Sequence, residues 1–494
     1  MRPKHRLAAR AKSISREEAG DRPFPTTPRA PIRAGFMSYT APSLTLRAEL
    51  SDTLRLALPL AGSNLIQMAI HAVDVMFIAR LGEEALAAST LGVAAFGLMA
   101  WSASGLIALA PLVAAELGRR RHSVREVRRT TRMALWLCVG VSLVLTVLFQ
   151  FGQPLLLLTG QAPVLAARAG SFMAVLSIAI LPMLLVGALR QFVASLDRAG
   201  YATWINLLGL GTNIFGNWLL VYGHWGLPAL GLTGSALSSG ITSWAMVLAY
   251  AVAIRMDRRL RRYRILGRWW RPEPARMAEI LRIGGPIALT ILAEAGLFGG
   301  AAFLMGRIGE AELAGHAIAL QIASLTFQVP FGIGQAATIR VGLAYGARDH
   351  AGIGRAGMAS ILFGIGFMAF TGLAILLLPQ AILSFYIDAD APGNTEMARH
   401  ATSFLLVAAV FQLFDGAQAV AAGALRGLQD TRMPMAYALF GYWIPGLGTS
   451  LLLGFGTGLG GLGIWIGLAV GLVVVAGLML RRWFRREPLG LLPG

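Results

Sequence analysis

Stretches of about 20 apolar residues recur along this chain, each long enough to cross a hydrocarbon core of roughly 30 Å. They fall near residues 53–79, 88–116, 132–152, 164–189, 203–223 and 231–254, and then near 280–306, 314–342, 355–379, 397–424, 435–456 and 460–480. Lipid offers no partner to a backbone N–H or C=O, so each span must satisfy its own groups. Segments of this length do so as helices and are too long for barrel strands. The expectation is an all-α membrane protein with 12 transmembrane helices. Composition agrees: 56% of residues are hydrophobic and 14% charged, against roughly 25% charged in a soluble domain.

A net charge of +19 raises the question of nucleic acid, and its distribution answers it. Arginines crowd Arg119, Arg120, Arg121, Arg125, Arg128, Arg129 and Arg132, then the stretch from Arg255 to Arg282, then Arg481, Arg482, Arg485 and Arg486. The alternate loops at 153–163, 222–230, 380–395 and 454–460 contain no Lys or Arg. This alternation marks one membrane face and predicts both termini in the cytoplasm. It is not the footprint of a nucleic-acid groove. Residues 1–50 are polar, Arg-rich and broken by Pro23, Pro25, Pro28 and Pro31, which reads as a disordered basic tail. They lack the apolar core of a cleaved signal, and Met37 offers an alternative start. The single cysteine, Cys138, excludes an internal disulfide and a cysteine-based metal cluster.

The chain repeats itself. "IARLGEEALA" from Ile78 returns as "MGRIGEAELA" from Met305, an offset of 227 residues, and the same offset carries Pro59 to Pro286. Gly187-Ala188-Leu189-Arg190 returns as Gly423-Ala424-Leu425-Arg426 at an offset of 236. Six spans per copy is an even number, so both copies enter the bilayer the same way. This predicts two six-helix bundles related by a pseudo-twofold axis along the membrane normal, with a cavity between them. The expected organisation is an N-lobe at 51–255, a basic cytoplasmic linker at 256–278, a C-lobe at 279–482 and a cytoplasmic tail at 483–494. Trp269 and Trp270 in the linker are expected to anchor at the interface.

Three carboxylates lie deep within apolar spans: Asp74 in the first, Glu294 in the seventh and Asp415 in the tenth. An ionised Asp at a helix centre costs about 2.5–3.5 kcal/mol on insertion scales, so these groups are expected to face the interior. Asn64, Gln67, His71 and Asp74 fall at i, i+3, i+7 and i+10 and share one helix stripe. Gln412, Asp415 and Gln418 cluster on the tenth span, and Gln321, Gln328 and Gln335 recur every seven residues along one face of the eighth. No Lys or Arg is expected deep in the same helices to neutralise the acids. A proton, a Na⁺ held by oxygen ligands, or an organic cation could each satisfy such a carboxylate, and mutually exclusive occupancy is what antiport requires. The competing structural role for the amides and for His71 is interhelical hydrogen bonding.

At these residues the chain resembles the multidrug and toxic compound extrusion (MATE) family, and its NorM-like bacterial branch in particular. The resemblance runs from about Arg55 to Arg482. Its pieces are "LALP" at Leu56, "HAVDVMFIARLG" at His71, "NIFGNWLLVYGHWGLPALGLTG" at Asn213, "AEAGLF" at Ala293, "GHAIALQ" at Gly315, "IRVG" at Ile339 and "FDGAQAVAAGALRGLQDTRMP" at Phe414. The resemblance implies an efflux antiporter of the bacterial inner membrane that exchanges inward H⁺ or Na⁺ for amphipathic organic cations. It implies Asp74 as the N-lobe coupling carboxylate, with Asn213 and Asn217 completing a polar pocket, and Glu294 and Asp415 as C-lobe acids for coupling and substrate entry. His71 beside Asp74 departs from the family pattern. Gln67, His71, Phe298, Gln321, Gln328 and Gln412 are candidates for the substrate cavity. A monomer with no cofactor and no resident metal is expected, any Na⁺ at Asp74 or at Glu294 and Asp415 being transported.

Two alternatives compete. A lipid-linked oligosaccharide flippase would carry an anionic pyrophosphate and favour a cationic cavity, whereas the acids suggest the opposite. An intramembrane aspartyl protease would need Asp74 and Asp415 to meet and share a proton.

Overall fold

Among the described residues twelve long helices account for most of the structure, and their boundaries follow the punctuation of the sequence. They are α1 (Leu46–Ala79), α2 (Glu83–Gly118), α3 (Ser123–Gln150), α4 (Pro163–Ser195), α5 (Gly200–Tyr222), α6 (Gly231–Met256), α7 (Pro274–Ile308), α8 (Glu310–Gly346), α9 (His350–Leu377), α10 (Thr395–Gly427), α11 (Arg432–Gly456) and α12 (Gly461–Phe484). The structure, a computed structural model, describes residues 45–119, 123–267, 271–386 and 394–494. Among these there is no strand. Eleven of the helices are long and apolar enough to cross a membrane. The exception is α5, of 23 residues, whose Asn206, Asn213 and Asn217 lower its hydropathy. The fold is that of a multi-pass integral membrane protein.

Several expected boundaries shift. Thr45 Oγ1 accepts the Ala48 N–H and caps α1, so the helix begins inside the stretch read as a disordered tail; the rest of that tail, with Met37, lies outside the described residues. The linker packs against the N-lobe: Leu260, Tyr263 and Ile265 are buried, and Arg128 Nε donates to the Tyr263 carbonyl at 2.6 Å. Trp269 and Trp270 lie outside the described residues. The C-terminal tail folds back, with Trp483 fully buried, Leu491 and Leu492 packed on the core, and His350 Nε2 2.9 Å from the Pro493 carbonyl oxygen.

Two apolar cores organise the helices, and each borrows from the other half. Leu56 and Leu60 of α1 enter the core built mainly by α7–α12, while Ile283 and Ile287 of α7, each 227 residues on, enter the core built by α2–α6. The chain thus crosses between lobes at the start of each repeat. Contacts between halves exchange the same way: α1 packs on α8, and α7 on α2. Gly332 of α8 approaches α1 so closely that an added Cβ would stand 2.7 Å from the Ala61 nitrogen. Under the 227-residue offset Gly332 maps to Gly105 and Ala61 to Ala288, and a Cβ on Gly105 would stand 3.2 Å from Ala288 Cα. One pseudo-twofold generates both close approaches.

Ion pairs reinforce these contacts on the side of the basic loops. Arg340 of α8 reaches Glu49 (2.6 Å) and Asp52 (3.3 Å) of α1. Arg276 of α7 reaches the buried Glu116 of α2 at 3.5 Å, Glu279 at 2.7 Å and also Glu126 of α3. Glu49 and Arg276 are equivalent under the offset yet carry opposite charge. One end of each latch is thus equivalent in place and reversed in sign, whereas the other ends, Arg340 and Glu116, fall opposite Val113 and Leu343.

Candidate functional site

The repeats give each lobe its own polar centre. In the N-lobe, α1 carries Asp74 toward α5 and α6. Asn213 and Asn217 fall four residues apart, one turn of α5, so both side chains point the same way. Asp74 Oδ1 accepts from Asn213 Nδ2 at 2.9 Å and from Asn217 Nδ2 at 2.7 Å, and Oδ2 accepts from Ser239 Oγ of α6 at 3.2 Å. Both asparagines are fully buried, and the Asn217 Oδ1 oxygen has no hydrogen-bond partner. His71, one turn before Asp74, is within electrostatic reach of it. About three turns nearer the basic-loop end of α1, Asn64 Oδ1 accepts from Arg190 Nη1 at 3.0 Å, and Asn206 donates to the Ser63 carbonyl at 2.8 Å. Among the described residues no cluster of three or more His, Cys, Asp or Glu could hold a metal. One carboxylate surrounded by amide and hydroxyl oxygens suits a proton or a monovalent cation.

The C-lobe centre is built differently. Glu294 of α7 and Asp415 of α10 lie within electrostatic reach of each other; Arg426, near the end of α10, reaches Glu294, and Tyr442 on α11 is within reach of all three. Tyr442 opens a π-helical turn, Tyr442–Gly446, that contains Pro445. Such turns mark places where a helix is widened, frequently at functional sites. Asp415 Oδ1, Tyr442 Oη, Gln412 Nε2 and Gln418 Oε1 are buried without hydrogen-bond partners. Arg426, at the basic-loop end of the helix that carries Asp415, reaches Glu294 from there.

Between the lobes lies a cavity of about 340 Å³. Its polar lining includes Arg190, Gln191, Glu294, Gln335, Gln418 and Arg426, and its aromatic wall is Trp101, Phe298, Phe327 and Phe331. Trp101 of α2 stacks across the lobes on Phe331 of α8 at 6.5 Å, and Phe331 on Phe327 at 5.8 Å. Its wall includes a break in α2 at Ile107–Leu109, where Gln191 Oε1 accepts the Leu109 and Ala110 N–H groups at 3.0 Å each. The cavity sits toward the basic-loop side, because Arg190, Thr338 and Arg426 all lie near the ends of α4, α8 and α10 on that face.

Of the residues nominated for a substrate cavity, Phe298 lines this one, where its ring also meets Phe411 edge-on at 6.1 Å. Gln67 and His71 stay on α1 and are not in the lining. Gln412 is buried against Thr371, which donates to it at 3.0 Å. The eighth-span glutamines share a face but not a depth: Gln321 is exposed, Gln328 donates to its own helix at Ser324, and Gln335 alone of the three reaches the cavity. Asp74 and Asp415 have separate partners in separate lobes and do not form a shared-proton pair. Sequence reasoning missed Ser239, Trp101 and Phe331, which carry no signal of their own, and Arg190 and Arg426, which it recognised only as marks of the repeat.

Two helical lobes exchanging their first helices, each with buried carboxyl chemistry and with a cavity between them, define a membrane transporter rather than an enzyme. The chain belongs to the MatE family, whose pattern matches residues 59–219 and again residues 286–451. The two matches begin at Pro59 and Pro286, the offset of the internal repeat. It is 45% identical over 448 residues to the probable multidrug resistance protein NorM of Mesorhizobium japonicum, covering 90% of this chain and 96% of that one. It is 43% identical over 438 residues to the corresponding protein of Brucella suis, covering 88% and 93%. A crystal structure of a Vibrio cholerae MATE transporter superposes with a TM-score of 0.81 at 16% identity, over 90% of this chain and 98% of that one.

Proposed function

We propose that this protein is a secondary multidrug efflux antiporter, exporting amphipathic organic compounds from the cytoplasm in exchange for inward H⁺ or Na⁺. The observation that carries the reading is Asp74, a carboxylate inside the membrane whose hydrogen bonds come from neutral donors on two other helices. Its charge is left for a mobile cation to neutralise, and the unpartnered Asn217 Oδ1 supplies a further oxygen in the same cluster. The NorM relatives, named for multidrug resistance, support the export of drugs. The positive-inside alternation supports cytoplasmic termini in a bacterial inner membrane.

In this mechanism the ion enters from outside and binds Asp74. Its neutralisation loosens the hold of α5 and α6 on the outer half of α1. Pro59 lies in α1 between Asp74 and the basic-loop end, where the missing backbone donor makes the helix easiest to bend. Bending there moves Leu60, which lines the cavity, and Ala61, which meets α8. Ion binding and cavity shape are thus joined through one helix. The test is dye efflux in proteoliposomes with Na⁺ and pH gradients imposed separately, repeated with Asp74→Asn. Gradient-driven efflux that survives Asp74→Asn in correctly inserted protein defeats the mechanism.

A flippase for lipid-linked sugars gains one observation, the two arginines of the cavity. Against it stand a volume of about 340 Å³, within the roughly 300–1,000 Å³ of small-molecule sites, and the aromatic wall.

A further inference from the structure

One stripe of α5 side chains bonds to α1 along most of its length. Thr203, Asn206, Asn213 and Asn217 stand at i, i+3, i+10 and i+14, within about 80° of one another around the helix. Asn213 and Asn217 reach the Asp74 carboxylate. Nearer the basic-loop end, Thr203 Oγ1 donates to the Pro59 carbonyl at 2.8 Å, and Asn206 Nδ2 donates to the Ser63 carbonyl at 2.8 Å and to the Ser63 hydroxyl. Beyond Asp74, Tyr222 Oη donates to the Phe77 carbonyl at 3.1 Å. The bonds to Asp74 change when a cation neutralises it. The bonds to backbone carbonyls do not, because their acceptors carry no charge that a cation removes. The other repeat treats the same place differently. The 227-residue offset carries Pro59 to Pro286 and Ser63 to Thr290. In α7 the proline carbonyl takes its extra donor from its own helix, from Thr290 Oγ1 at 2.9 Å.

Resting on the efflux reading, in which neutralisation of Asp74 frees the outer part of α1, we infer that Thr203, Asn206 and Tyr222 are positioning residues that hold α1 straight and so set how much cation must bind before it moves. The continuous helix Leu46–Ala79 keeps every bond of this ladder. Thr203 and Asn206 grip the pivot at Pro59 and the residues just after it, and Tyr222 grips the moving end. A cation that favours the bent form has to overcome these fixed bonds as well as the ones it weakens at Asp74. The concentration at which half the molecules move is therefore proportional to the straight-to-bent ratio without cation. The titratable side chain within electrostatic reach of Asp74 is His71 on the same helix, while α5 and α6 offer it two amides and a hydroxyl. The proline of α7, tied within its own helix, takes no part in the threshold.

The experiment places spin labels on cysteines at Met76 of α1 and at Leu158, both exposed and both on the outer side of the N-lobe, in a Cys138→Ser background. Their separation is measured by pulsed electron resonance on the full chain in nanodiscs, as pH is lowered and, separately, as Na⁺ is added. Wild type is expected to pass from one separation to another at a defined cation concentration. Thr203→Val and Tyr222→Phe, which remove a hydroxyl at nearly constant volume, and Asn206→Leu are each expected to lower that concentration by about two- to tenfold, the net worth of one hydrogen bond. For protons this is a midpoint raised by about 0.3 to 1 pH unit. Thr203→Ser, which keeps the donor, should stay at the wild-type midpoint, and so should Thr290→Val, which removes the equivalent bond of α7. Midpoints that none of the three donor variants moves overturn the inference. So does a shift in Thr290→Val as large as theirs, which would show general loosening of the fold. A wild-type α1 that neither cation moves defeats the efflux mechanism instead. The ladder is then judged on the cation-free separation, which the three substitutions should broaden, and a distribution they leave unchanged overturns the inference as well.

Discussion

In the N-lobe, Asp74 receives three neutral donors from α5 and α6; in the C-lobe, Glu294 faces the guanidinium of Arg426 and Asp415 Oδ1 receives no donor. The scaffold around the two centres repeats to the residue, as the Gly332–Ala61 and Gly105–Ala288 contacts show, but the chemistry does not. A duplicated frame can rock as one object while its halves bind different things. The N-lobe carboxylate is held by neutral donors, with His71 one turn away as the titratable neighbour. The C-lobe acid has a fixed competitor on its own lobe, so a ligand arriving there has to displace or accommodate an arginine.

Substitution of the two acids is the strongest way to break this comparison. Asp74→Asn keeps the size and much of the hydrogen bonding of the side chain, and is expected to reduce gradient-driven dye efflux in proteoliposomes to the level of empty vesicles. Glu294→Gln is expected to change which dyes are carried while some ion-driven flux remains. Flux that survives in the first variant and vanishes in the second would reverse the assignment of the lobes.

Next in size is the inter-lobe latch. Arg276→Gln leaves the buried Glu116 without its counter-ion, and removing one partner of a buried pair costs about 3–5 kcal/mol. Arg340 meets a buried Glu49 and a half-exposed Asp52, so Arg340→Gln strains a similar contact on the opposite side of the pseudo-axis. Both variants are expected to open the basic-loop side. The measurement is labelling of a cysteine placed at Ser104 in a Cys138→Ser background, with reagent supplied from that side. Equal labelling of wild type and both variants would show that the latch does not hold the lobes.

Much of this architecture was legible in the sequence, and the exceptions have physical causes. Hydropathy located the spans because lipid forces long apolar helices, and Pro, Gly and Arg at matched places exposed the duplication. Sequence placed Leu56 and Leu60 in the N-lobe by order along the chain; packing puts them in the other core, since nothing in an apolar residue records which apolar surface it meets. Asn213 and Asn217 were identified through resemblance, but Ser239 was not, as one serine among several on α6 has no distinguishing neighbour. Arginines near helix ends on the basic face read as groups snorkelling to lipid headgroups. Arg190 and Arg426 turn inward instead, and only the tertiary arrangement reveals it. The heptad of glutamines gave a shared face correctly, yet α8 is 37 residues long, so residues on one face stand at different depths.

A smaller effect tests how closely the two close approaches match. A Cβ at Gly332 would meet backbone at 2.7 Å, whereas at Gly105 the backbone of Ala288 is 3.2 Å away and the nearest atom, at 2.7 Å, is the mobile tip of Ile291. Overpacking costs about 1–3 kcal/mol. Gly332→Ala is therefore expected to lower the melting temperature in detergent more than Gly105→Ala. The reverse order would mean that the α2–α7 contact is the stiffer of the two.

The smallest expected effect lies at the entrance to α7. Arg129 donates to Glu273 at 2.8 Å and holds its carboxyl below the usual value of 4.5. A carboxyl whose folded value is depressed adds stability above its unfolded value, and the contribution is lost as pH falls through 4.5 and below. Both side chains are about one-third exposed, so solvent screening limits the pair to a few tenths of a kcal/mol. Glu273→Gln is expected to melt slightly below wild type near neutral pH, with the gap narrowing as pH falls below 4.5. The matching entrance to α1 should not follow this profile through Glu273, since its latch is carried by Glu49 and Arg340. A gap that widens on acidification would mean that Glu273 stabilises the N-lobe contact in its neutral form, and that the two entrances differ in more than the sign of their charges.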